Sequence, residues 1–424
     1  MAFRIIFRDR SLITLFTLLF LLTGICDLNA SKVYIDVNAP SLRPLPIAIQ
    51  DFTNGSDITS IVIKDLNFTG LFQCISPDAQ VEKNEQPFNP KSWIPLGVAL
   101  VVKGHVKTHA DQIVLGIRVY DVSEGREVFI KEYSASKKLL RPLAHSVSND
   151  IYKILTGQTG IFRTRLAFVV ERAGVREIFI SDYDGQRSYS TGIRAGIILK
   201  PRWSPNGGYL LYSAERNRAW DVYLLNLDDM AERRLTSIKG LNMAGNLFPD
   251  NNSYLFSNSR DGKTDIYLGN IQSAKFERLI ASPWIDVSPN ISPDGKTIVF
   301  VSNRSGSPQI YLANRDGTNI RRLTYEGSYN TSPSWSPMGD KIVFTTMVHG
   351  RQQIAVIKTD GSSYQILTQS GNNEDPSFSP DGRHIVFSSD REGGSSIFVM
   401  TVNGEGQMRI SPRGFRAYSP SWSP

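Results

Sequence analysis

The chain has 424 residues, of which 41% are hydrophobic and 21% are charged. This composition is typical of a globular protein with more than one domain, and it excludes a disordered tail and a coiled coil. The formal net charge of +7 does not favour binding to nucleic acid or to an anionic membrane, because the basic residues are scattered and form no run with interleaved aromatics.

The first thirty residues differ from the rest of the chain. Three arginines precede an uncharged apolar run, residues 12–22, and a short stretch ending in Ala30 follows. This order is typical of a secretory signal peptide, and it predicts cleavage between Ala30 and Ser31. The apolar run is shorter than the roughly 20 residues that a membrane-spanning helix needs. We therefore expect residues 1–30 to be removed and the mature chain to be exported.

The two cysteines are Cys26 and Cys74. Cys26 raises the alternative of lipid attachment, but such a site needs a small residue before the cysteine and Ile25 stands there. Cleavage after Ala30 leaves Cys74 alone, and one thiol cannot form an internal disulfide. We expect Cys74 to be a buried, unpaired residue.

Residues 31–43 show no helical period and are predicted to be extended. Their apolar side chains alternate, which suits a segment that adds a strand to the sheet of a partner protein. The alternative is that the segment packs as a strand on its own domain. The residues expected to bind a partner here are Val33, Tyr34, Ile35, Asp36 and Val37.

Residues 44–158 predict a small α/β domain. Strands are expected at "PIAIQDF", "GVALVVKGHV", "QIVLGIRVYD" and "REVFIKEYS", where apolar residues are continuous or alternate. A helix capped by Ser56 or Asp57 is expected after the first strand, and a second helix between Pro142 and Gly157.

A repeat of about 44 residues fills the rest of the chain. Phrases similar to "PSWSP" place an aromatic or aliphatic residue at successive spacings of 44, 44, 44, 43 and 44 residues. These residues are Trp203, Leu247, Ile291, Trp335, Phe378 and Trp422. Each repeat predicts four short strands, of which this residue opens the first and an Asx-Gly turn follows, and that pattern indicates a propeller blade.

The first blade lacks its own opening strand, because no such phrase precedes "LAFVV" near Arg165. The phrase at 418–424 is an opening strand that no blade follows. We therefore predict that the C-terminal strand completes the first blade and closes an all-β six-bladed β-propeller over residues 161–424.

Motifs for catalysis or metal binding are weak. There is no G-x-S-x-G motif, and the S-x-x-K match at Ser134 lacks its companion motifs. The segment "DYDGQ" at Asp182 resembles the opening of a calcium loop, but Ile193 stands at its twelfth position, so we interpret it as a turn. The five histidines show no paired ligand spacing. No catalytic residue, metal ligand or cofactor site is predicted.

A partner-binding surface is predicted on one face of the propeller. The connections between blades are variable and carry aromatic residues with the character of binding hot spots, whereas the Asx-Gly turns of the other face need their residues for backbone geometry. The alternative is that these aromatic rings only cap the central funnel. The residues predicted to bind are Asn242, Trp284, Asp286, Tyr329, Asn330, Thr331, Asn373, Glu374, Phe415 and Tyr418.

The phrases "ILTGQTGIFRTRLAFVV", "FISDYDGQ", "SDITSIVIKDLNFTGLF" and "PSWSP" together resemble the TolB family of the Tol-Pal cell-envelope system, over essentially the whole mature chain. The resemblance implies a monomeric periplasmic scaffold without enzymatic activity, which supports outer-membrane integrity and cell division and which bacteriocins exploit in some species. It implies that the propeller binds the peptidoglycan-associated lipoprotein Pal and that the mature N-terminus binds the inner-membrane protein TolA. The alternatives are a hydrolase or lyase, or a protein that binds a metabolite or metal, using the central funnel.

Overall fold

The computed structural model of the protein describes residues 43–424, apart from the side chain of Asp261. These residues form an N-terminal α/β domain and a six-bladed β-propeller, which confirms the predicted fold class. The predicted signal peptide, with its cleavage site at Ala30 and Ser31, lies outside the described residues. The same is true of the predicted partner-binding residues of the N-terminal segment, Val33, Tyr34, Ile35, Asp36 and Val37.

The N-terminal domain is built on a five-stranded sheet. Its strands are β1 (Leu45–Ile49), β2 (Phe72–Cys74), β3 (Leu100–His109), β4 (Gln112–Asp121) and β5 (Arg126–Ser136). The spatial order is β2-β1-β3-β4-β5, in which β1 runs parallel to both neighbours and β3 to β5 form an antiparallel meander. The helices are α1 (Ser56–Phe68), α2 (Pro90–Trp93) and α3 (Leu140–Thr156), and 3₁₀ turns span Pro77–Ala79, Ile94–Leu96 and Lys137–Leu139.

Helices α1 and α3 cover one face of this sheet. Val62 of α1 and Val147 and Ile151 of α3 are fully buried in the same apolar cluster as the inward side chains of β1 and β3. Helix α3 begins at Leu140, so Pro142 lies in its first turn. A proline is tolerated there because the backbone N–H groups of the first turn have no partner within the helix, so the missing N–H costs no hydrogen bond. Gly157, at φ 73°, ends the helix in the left-handed conformation that glycine adopts without strain.

Strand β2 was not predicted, because three residues carry no measurable period. It pairs with β1 in parallel, and Cys74 stands at its end. Cys74 is unpaired as expected, and its side chain is partly rather than fully buried. Its position on the outermost strand of the sheet leaves one side uncovered, while its thiol lies 3.9 Å from the carbonyl oxygen of Ile63.

Each propeller blade is a four-stranded antiparallel sheet whose first strand lines the central channel. From the inner to the outer strand, blade 1 contains β29 (Arg416–Trp422), β6 (Arg165–Arg172), β7 (Val175–Asp182) and β8 (Tyr189–Ala195). Blade 2 contains β9 (Ile197–Trp203), β10 (Tyr209–Arg216), β11 (Ala219–Asn226) and β12 (Glu232–Arg234). Blade 3 contains β13 (Asn242–Leu247), β14 (Ser253–Asn258), β15 (Asp265–Asn270) and β16 (Lys275–Ile280), with a 3₁₀ turn at Arg260–Gly262.

The other three blades repeat this arrangement. Blade 4 contains β17 (Asp286–Ile291), β18 (Thr297–Ser302), β19 (Gln309–Asn314) and β20 (Arg321–Arg322). Blade 5 contains β21 (Asn330–Trp335), β22 (Lys341–Val348), β23 (Arg351–Lys358) and β24 (Gln365–Ile366). Blade 6 contains β25 (Asn373–Phe378), β26 (His384–Ser389), β27 (Ser396–Thr401) and β28 (Met408–Arg409). The two middle strands have a continuous apolar run at their centres because neighbouring blades cover both of their faces.

The last strand closes the ring as predicted. Strand β29 pairs antiparallel with β6, with Trp422 opposite Leu166 and Ala417 opposite Val170. The indole N–H of Trp422, which is buried, donates a 2.8 Å hydrogen bond to Oγ1 of Thr164 in the segment that enters blade 1. The first and last parts of the propeller are therefore joined within one sheet, and no strand edge is left unpaired at this junction.

One prediction about the inner strands is wrong. The aromatic or aliphatic residue of each repeat ends the inner strand and does not open it, as Ile291 in β17 and Trp335 in β21 show. The register of every inner strand shifts at a bulge before that residue. In five of the six inner strands, the residue three positions before that aromatic or aliphatic residue has a positive φ. These five residues are Lys200, Ser288, Ser332, Asp375 and Ser419. Bulges are not visible in the repeat spacing, because every blade has one.

Candidate functional site

The propeller has two different faces. The loop face carries the turns between the second and third strands and the connections between blades, which are residues 196, 235–241, 281–285, 323–329, 367–372 and 410–415. The turn face carries the turns between the first and second strands, which are residues 204–208, 248–252, 292–296, 336–340 and 379–383, and those between the third and fourth strands. A polar constriction separates the two ends of the central channel.

Four predicted binding residues are buried at the loop-face ends of the inner strands. Asn242, Asp286, Asn330 and Asn373 each occupy the first position of their strand and have no exposed surface. The Asn330 side-chain amide donates 2.8 Å hydrogen bonds to Gln309 Oε1 and to the Glu326 carbonyl oxygen.

The other two asparagines form equivalent bonds. Asn373 donates to Gln353 Oε1 at 2.9 Å and to the carbonyl oxygen of Ser370 at 3.1 Å. Asn242 donates to the carbonyl oxygens of Ile238 and Trp220 at 2.8 and 2.9 Å. Each asparagine thus fixes the connection that precedes its strand, and its buried side chain supports the loop face from within the blade.

Asp286 holds the most exposed tryptophan of the loop face in place through an arginine. Its carboxylate accepts hydrogen bonds from Arg304 at 2.9 and 3.1 Å and from Ser282 Oγ at 2.6 Å. The Arg304 guanidinium lies 5.4 Å from the centre of the Trp284 ring, which is a cation–π distance. Trp284 is 43% exposed although its backbone N–H is bonded to Ser282, so the ring is presented to solvent from a fixed loop.

The other predicted loop-face residues are accessible to different degrees. Tyr329 is 40% exposed, Glu374 is exposed, and Thr331 is partly covered. Phe415 and Tyr418 are also partly covered: the Phe415 ring lies 4.3 Å from the Arg172 guanidinium, and the Tyr418 hydroxyl donates to Glu171 at 3.0 Å. These exposed and half-exposed residues remain candidates for partner contact.

Sequence reasoning missed three exposed apolar residues of the same face. Leu241 and Ile285 are about half exposed, and Tyr325 is 74% exposed. All three lie in connections between blades that also contain or adjoin predicted residues. The signal was present in the sequence, because each of them is a large apolar side chain outside the strand pattern. Together with Trp284 and Tyr329 they form an apolar rim on blades 2 to 5.

A cavity of about 700 Å³ opens on the loop face between blades 6 and 1. Charged and hydroxyl groups line it, including Glu171, Arg176, Glu374 and Tyr418. Burial, and then the hydrogen bond to Glu171, raise the pKa of the Tyr418 phenol. Partial desolvation in this cavity, and then the charge of Asp375, raise the pKa of Glu374, although the residue as a whole is exposed. The cavity is polar and open, which suits a hydrophilic projection of a partner.

The constriction at the channel centre is built from the bulge residues. Lys200 Nζ lies 3.2 Å from Ser288 Oγ, 3.3 Å from Ser332 Oγ and 3.9 Å from Asp375 Oδ1. Asp375 also accepts hydrogen bonds from Ser332 at 2.8 Å and Ser419 at 2.7 Å. Burial alone would raise the pKa of Asp375, but the charges of the neighbouring cations and these hydrogen bonds outweigh it, and the pKa is lowered. Burial lowers the pKa of Lys200.

Below the constriction, a second cavity of about 390 Å³ opens on the turn face. We call it the turn-face funnel, and its walls are the last residues of the six inner strands and the Ser-Pro pairs that follow them. The layer nearest the constriction consists of Arg202, Asn246, Asn290, Ser334, Ser377 and Ser421. The next layer consists of Trp203, Leu247, Ile291, Trp335, Phe378 and Trp422.

The structure places the weak sequence motifs in ordinary structural roles. Asp182 ends β7 and its carboxylate accepts hydrogen bonds from Arg141 and Arg187, which confirms that "DYDGQ" is a turn. Ser134 lies in β5 and contacts Gln112. Within residues 43–424 no group of three or more histidine, cysteine, aspartate or glutamate side chains is arranged to hold a metal ion. None of the helices described is long and apolar enough to span a bilayer.

Two family models match the chain. One described as the TolB beta propeller domain matches residues 152–424, and one described as the TolB amino-terminal domain matches residues 33–128. The Tol-Pal system protein TolB of Hahella chejuensis is 31% identical over 244 residues, which cover 54% of this chain and 56% of that protein. The protein of the same name from Syntrophus aciditrophicus is 35% identical over 228 residues, covering 49% and 50%. The chain spans about half the length of the curated relatives it matches.

Solved structures extend the similarity to both domains. The crystal structure of TolB from Acinetobacter baumannii matches with a TM-score of 0.84 at 28% identity, over 90% of this chain and 97% of that one. A chain of the nidogen/laminin complex matches with a TM-score of 0.51 at 10% identity, over 61% of this chain and 98% of that one, and so shares only the fold.

Proposed function

Because the chain belongs to the TolB family, whose propeller model matches residues 152–424, we propose that it is a scaffold of the Tol-Pal system in the periplasm. It acts by binding other proteins and not by catalysis. The predicted signal peptide delivers it there. In this role the protein supports the integrity of the outer membrane and acts during cell division.

The propeller binds the lipoprotein Pal through the loop face. The observation that carries this proposal is the exposed apolar rim, formed by Leu241, Trp284, Ile285, Tyr325 and Tyr329. Aromatic side chains that are held rigidly lose little conformational entropy on binding, and they dominate protein interfaces. The rim lies on the connections between blades 2 to 5, and the polar cavity of the same face lies between blades 6 and 1, so a partner that covers this face contacts both apolar and polar groups.

The buried asparagines and Asp286 support this surface from below. They fix the connections between blades before a partner arrives, which reduces the ordering that binding requires. A rigid surface of this kind suits a scaffold that must recognise one partner. We therefore assign Asn242, Asp286, Asn330 and Asn373 a positioning role and keep Trp284, Tyr329, Thr331, Glu374, Phe415 and Tyr418 as contact residues.

The mature N-terminal segment, residues 31–43, binds TolA as an added strand. Support for this assignment is its alternation of apolar side chains and its place at the start of the mature chain. Removing residues 31–42 should abolish binding to the C-terminal domain of TolA and leave the melting temperature of the propeller unchanged. Retained TolA binding would refute the assignment.

The function is tested by calorimetric titration of the mature protein with a soluble form of Pal that lacks its lipid anchor. We expect saturable 1:1 binding, and co-purification of Pal from a periplasmic extract of the source cell. Pal that neither binds in the calorimeter nor co-purifies would contradict the proposal.

A further inference from the structure

Arg202 is a buried cation in the wall of the turn-face funnel. It stands in β9, one position before the last residue of that strand, and only 7% of its surface is exposed. Within residues 43–424 its guanidinium makes no hydrogen bond and no ion pair, although a guanidinium carries five N–H donors. A buried cation in this state is costly unless something outside the described chain satisfies it.

The neighbours of Arg202 in the funnel are also hydrogen-bond donors. Asn246 and Asn290 occupy the same strand position in blades 3 and 4, and their side chains form no hydrogen bond inside the described part of the chain. Ser334, Ser377 and Ser421 complete the layer in blades 5, 6 and 1. Because the inner strands all run in the same direction, equivalent positions converge on one level of the channel. This level therefore presents one guanidinium, two amides and three hydroxyls to the same small space.

The side-chain charge of this space is positive. Among the described residues that line the funnel, Arg202 carries the only charged side chain, because the aspartates of the turn face are held within their own turns. Asp294, for example, accepts hydrogen bonds from Ser292 and from the Lys296 backbone. Burial lowers the pKa of Arg202, and the charge of Asp375 offsets this only in part. Asp375 itself is already bound to Lys200 and to two serines.

The layer of side chains between the hydrogen-bond donors and the opening of the funnel is apolar. In the order of the blades it consists of Trp422, Trp203, Leu247, Ile291, Trp335 and Phe378, and the proline rings that follow these strands lie toward the opening. The indole N–H groups of Trp203, Trp335 and Trp422 are already bonded, to Ser421 O, Asn290 O and Thr164 Oγ1 respectively. The tryptophans therefore offer ring surface and not donors to a ligand.

We propose that the turn-face funnel is a binding site for a carboxylate that carries a small apolar group, with Arg202 as its cationic partner. The planar carboxylate takes the paired N–H donors of the guanidinium, and the amides of Asn246 and Asn290 are the next donors available to it. The apolar group lies in the collar of tryptophan, aliphatic and proline side chains. The cavity of about 390 Å³ is of a size that small ligands occupy. The site goes beyond the proposed scaffold function, because it opens on the face opposite the loop face.

A small organic acid and the C-terminal carboxylate of an extended peptide present the same chemistry. The probes are therefore N-acetyl-leucine, its amide N-acetyl-leucinamide, and a tripeptide that ends in a free leucine carboxylate, each titrated into the mature protein at constant ionic strength. We expect saturable binding of N-acetyl-leucine and about tenfold or more weaker binding of the amide, since a charge-assisted hydrogen bond is lost. Tighter binding of the tripeptide would identify a peptide terminus as the source, and equal binding would identify a free acid.

Two variants test the role of Arg202. Arg202→Met should weaken binding of N-acetyl-leucine about tenfold or more, without lowering the melting temperature of the free protein, because it removes an unpartnered buried cation. Asn290→Asp places a carboxylate beside Arg202 and should raise the melting temperature while it weakens binding of the acid. The control is Arg315→Gln, which removes an exposed arginine of the same face that is stacked on Phe248. This variant should bind the acid as the wild type does.

Equal affinity for the acid and its amide, no saturable binding of either, or full affinity in Arg202→Met would overturn the proposal. Titration of the same variants with soluble Pal separates this result from the scaffold function. Arg202→Met should bind Pal normally whether or not the funnel binds a carboxylate.

Discussion

The Tyr183 hydroxyl donates a 2.7 Å hydrogen bond to Asp65 Oδ1, and this bond joins blade 1 of the propeller to helix α1 of the N-terminal domain. The other oxygen of the Asp65 carboxylate contacts His145 Nδ1 at 2.7 Å and accepts from Ser148 Oγ at 2.6 Å. Asp65 and Tyr183 are both buried. Phe68 extends the junction by stacking on His384 of blade 6, with ring centroids 5.0 Å apart. The two domains therefore meet through a buried polar network with aromatic contacts around it.

Breaking this network should destabilise the protein measurably. Tyr183→Phe leaves Asp65 without one of its donors and should cost about 1 to 2 kcal/mol in the free energy of unfolding, measured by urea titration. Tyr189→Phe, at an exposed position of the same blade, is the control and should stay within about 0.5 kcal/mol of the wild type. Equal midpoints for the two variants would show that the bond does not stabilise the junction.

The closing strand should contribute strongly to stability. Trp422→Ala removes a buried ring and the hydrogen bond to Thr164, and it should lower the free energy of unfolding by about 3 to 5 kcal/mol. Trp284→Ala removes an exposed ring of the same size and should cost far less. If both substitutions shift the denaturant midpoint equally, β29 does not close the ring as described.

The constriction predicts a compensation between two substitutions. Lys200→Met leaves the largely buried Asp375 charge with fewer partners and should lower the free energy of unfolding by roughly 1 to 3 kcal/mol. Adding Asp375→Asn removes that charge while keeping an acceptor for Ser332 and Ser419, so the double variant should regain most of the loss. A double variant less stable than Lys200→Met would contradict the pairing of the two charges.

Cys74 should be unreactive in the folded protein. Burial raises the pKa of its thiol from 9.0 to about 12, so at pH 8 the folded chain contains far less thiolate than the unfolded one. A thiol reagent should modify Cys74 roughly a hundredfold or more slowly in buffer than in urea.

The same pKa shift predicts a dependence of stability on pH. Above about pH 9 the unfolded chain loses the thiol proton while the folded chain keeps it up to about pH 12, so this contribution to stability falls as the pH rises through that window. Cys74→Ala should therefore lose less stability than the wild type between these pH values. Parallel profiles for the two proteins would show that the thiol is not shielded.

The repeat spacing was enough to predict the number of blades and the closing strand, because each blade needs the same turn residues at the same positions. The spacing could not reveal the bulge that turns Lys200 and Asp375 toward the channel, since those residues belong to different blades and meet only in the closed ring. The buried roles of Asn242, Asp286, Asn330 and Asn373 were missed for a related reason. Polar residues in variable connections resemble surface residues until their strand position is known.

Arg202 shows the same limit at the turn-face funnel. Its repeat equivalents are asparagines and serines, so the sequence shows that it differs from them. Whether another chain segment neutralises an arginine depends on contacts that no local pattern encodes. The side-chain period identified the strand in which Arg202 lies, but only the packed ring shows that no partner reaches it within residues 43–424.

The central claim is that the loop face binds Pal, and the most direct test compares matched substitutions on the two faces. Trp284→Ala and Tyr329→Ala remove exposed rings of the loop face, and Met338→Ala removes a 71% exposed side chain of the turn face. The measurement is the dissociation constant for soluble Pal by calorimetry, with melting temperatures to confirm that each variant is folded. We expect Trp284→Ala or Tyr329→Ala to weaken Pal binding by about 2 kcal/mol or more, roughly thirtyfold, and the Met338→Ala variant to bind Pal as the wild type does. Loss of Pal binding in Met338→Ala, with full binding in both loop-face variants, would contradict the claim.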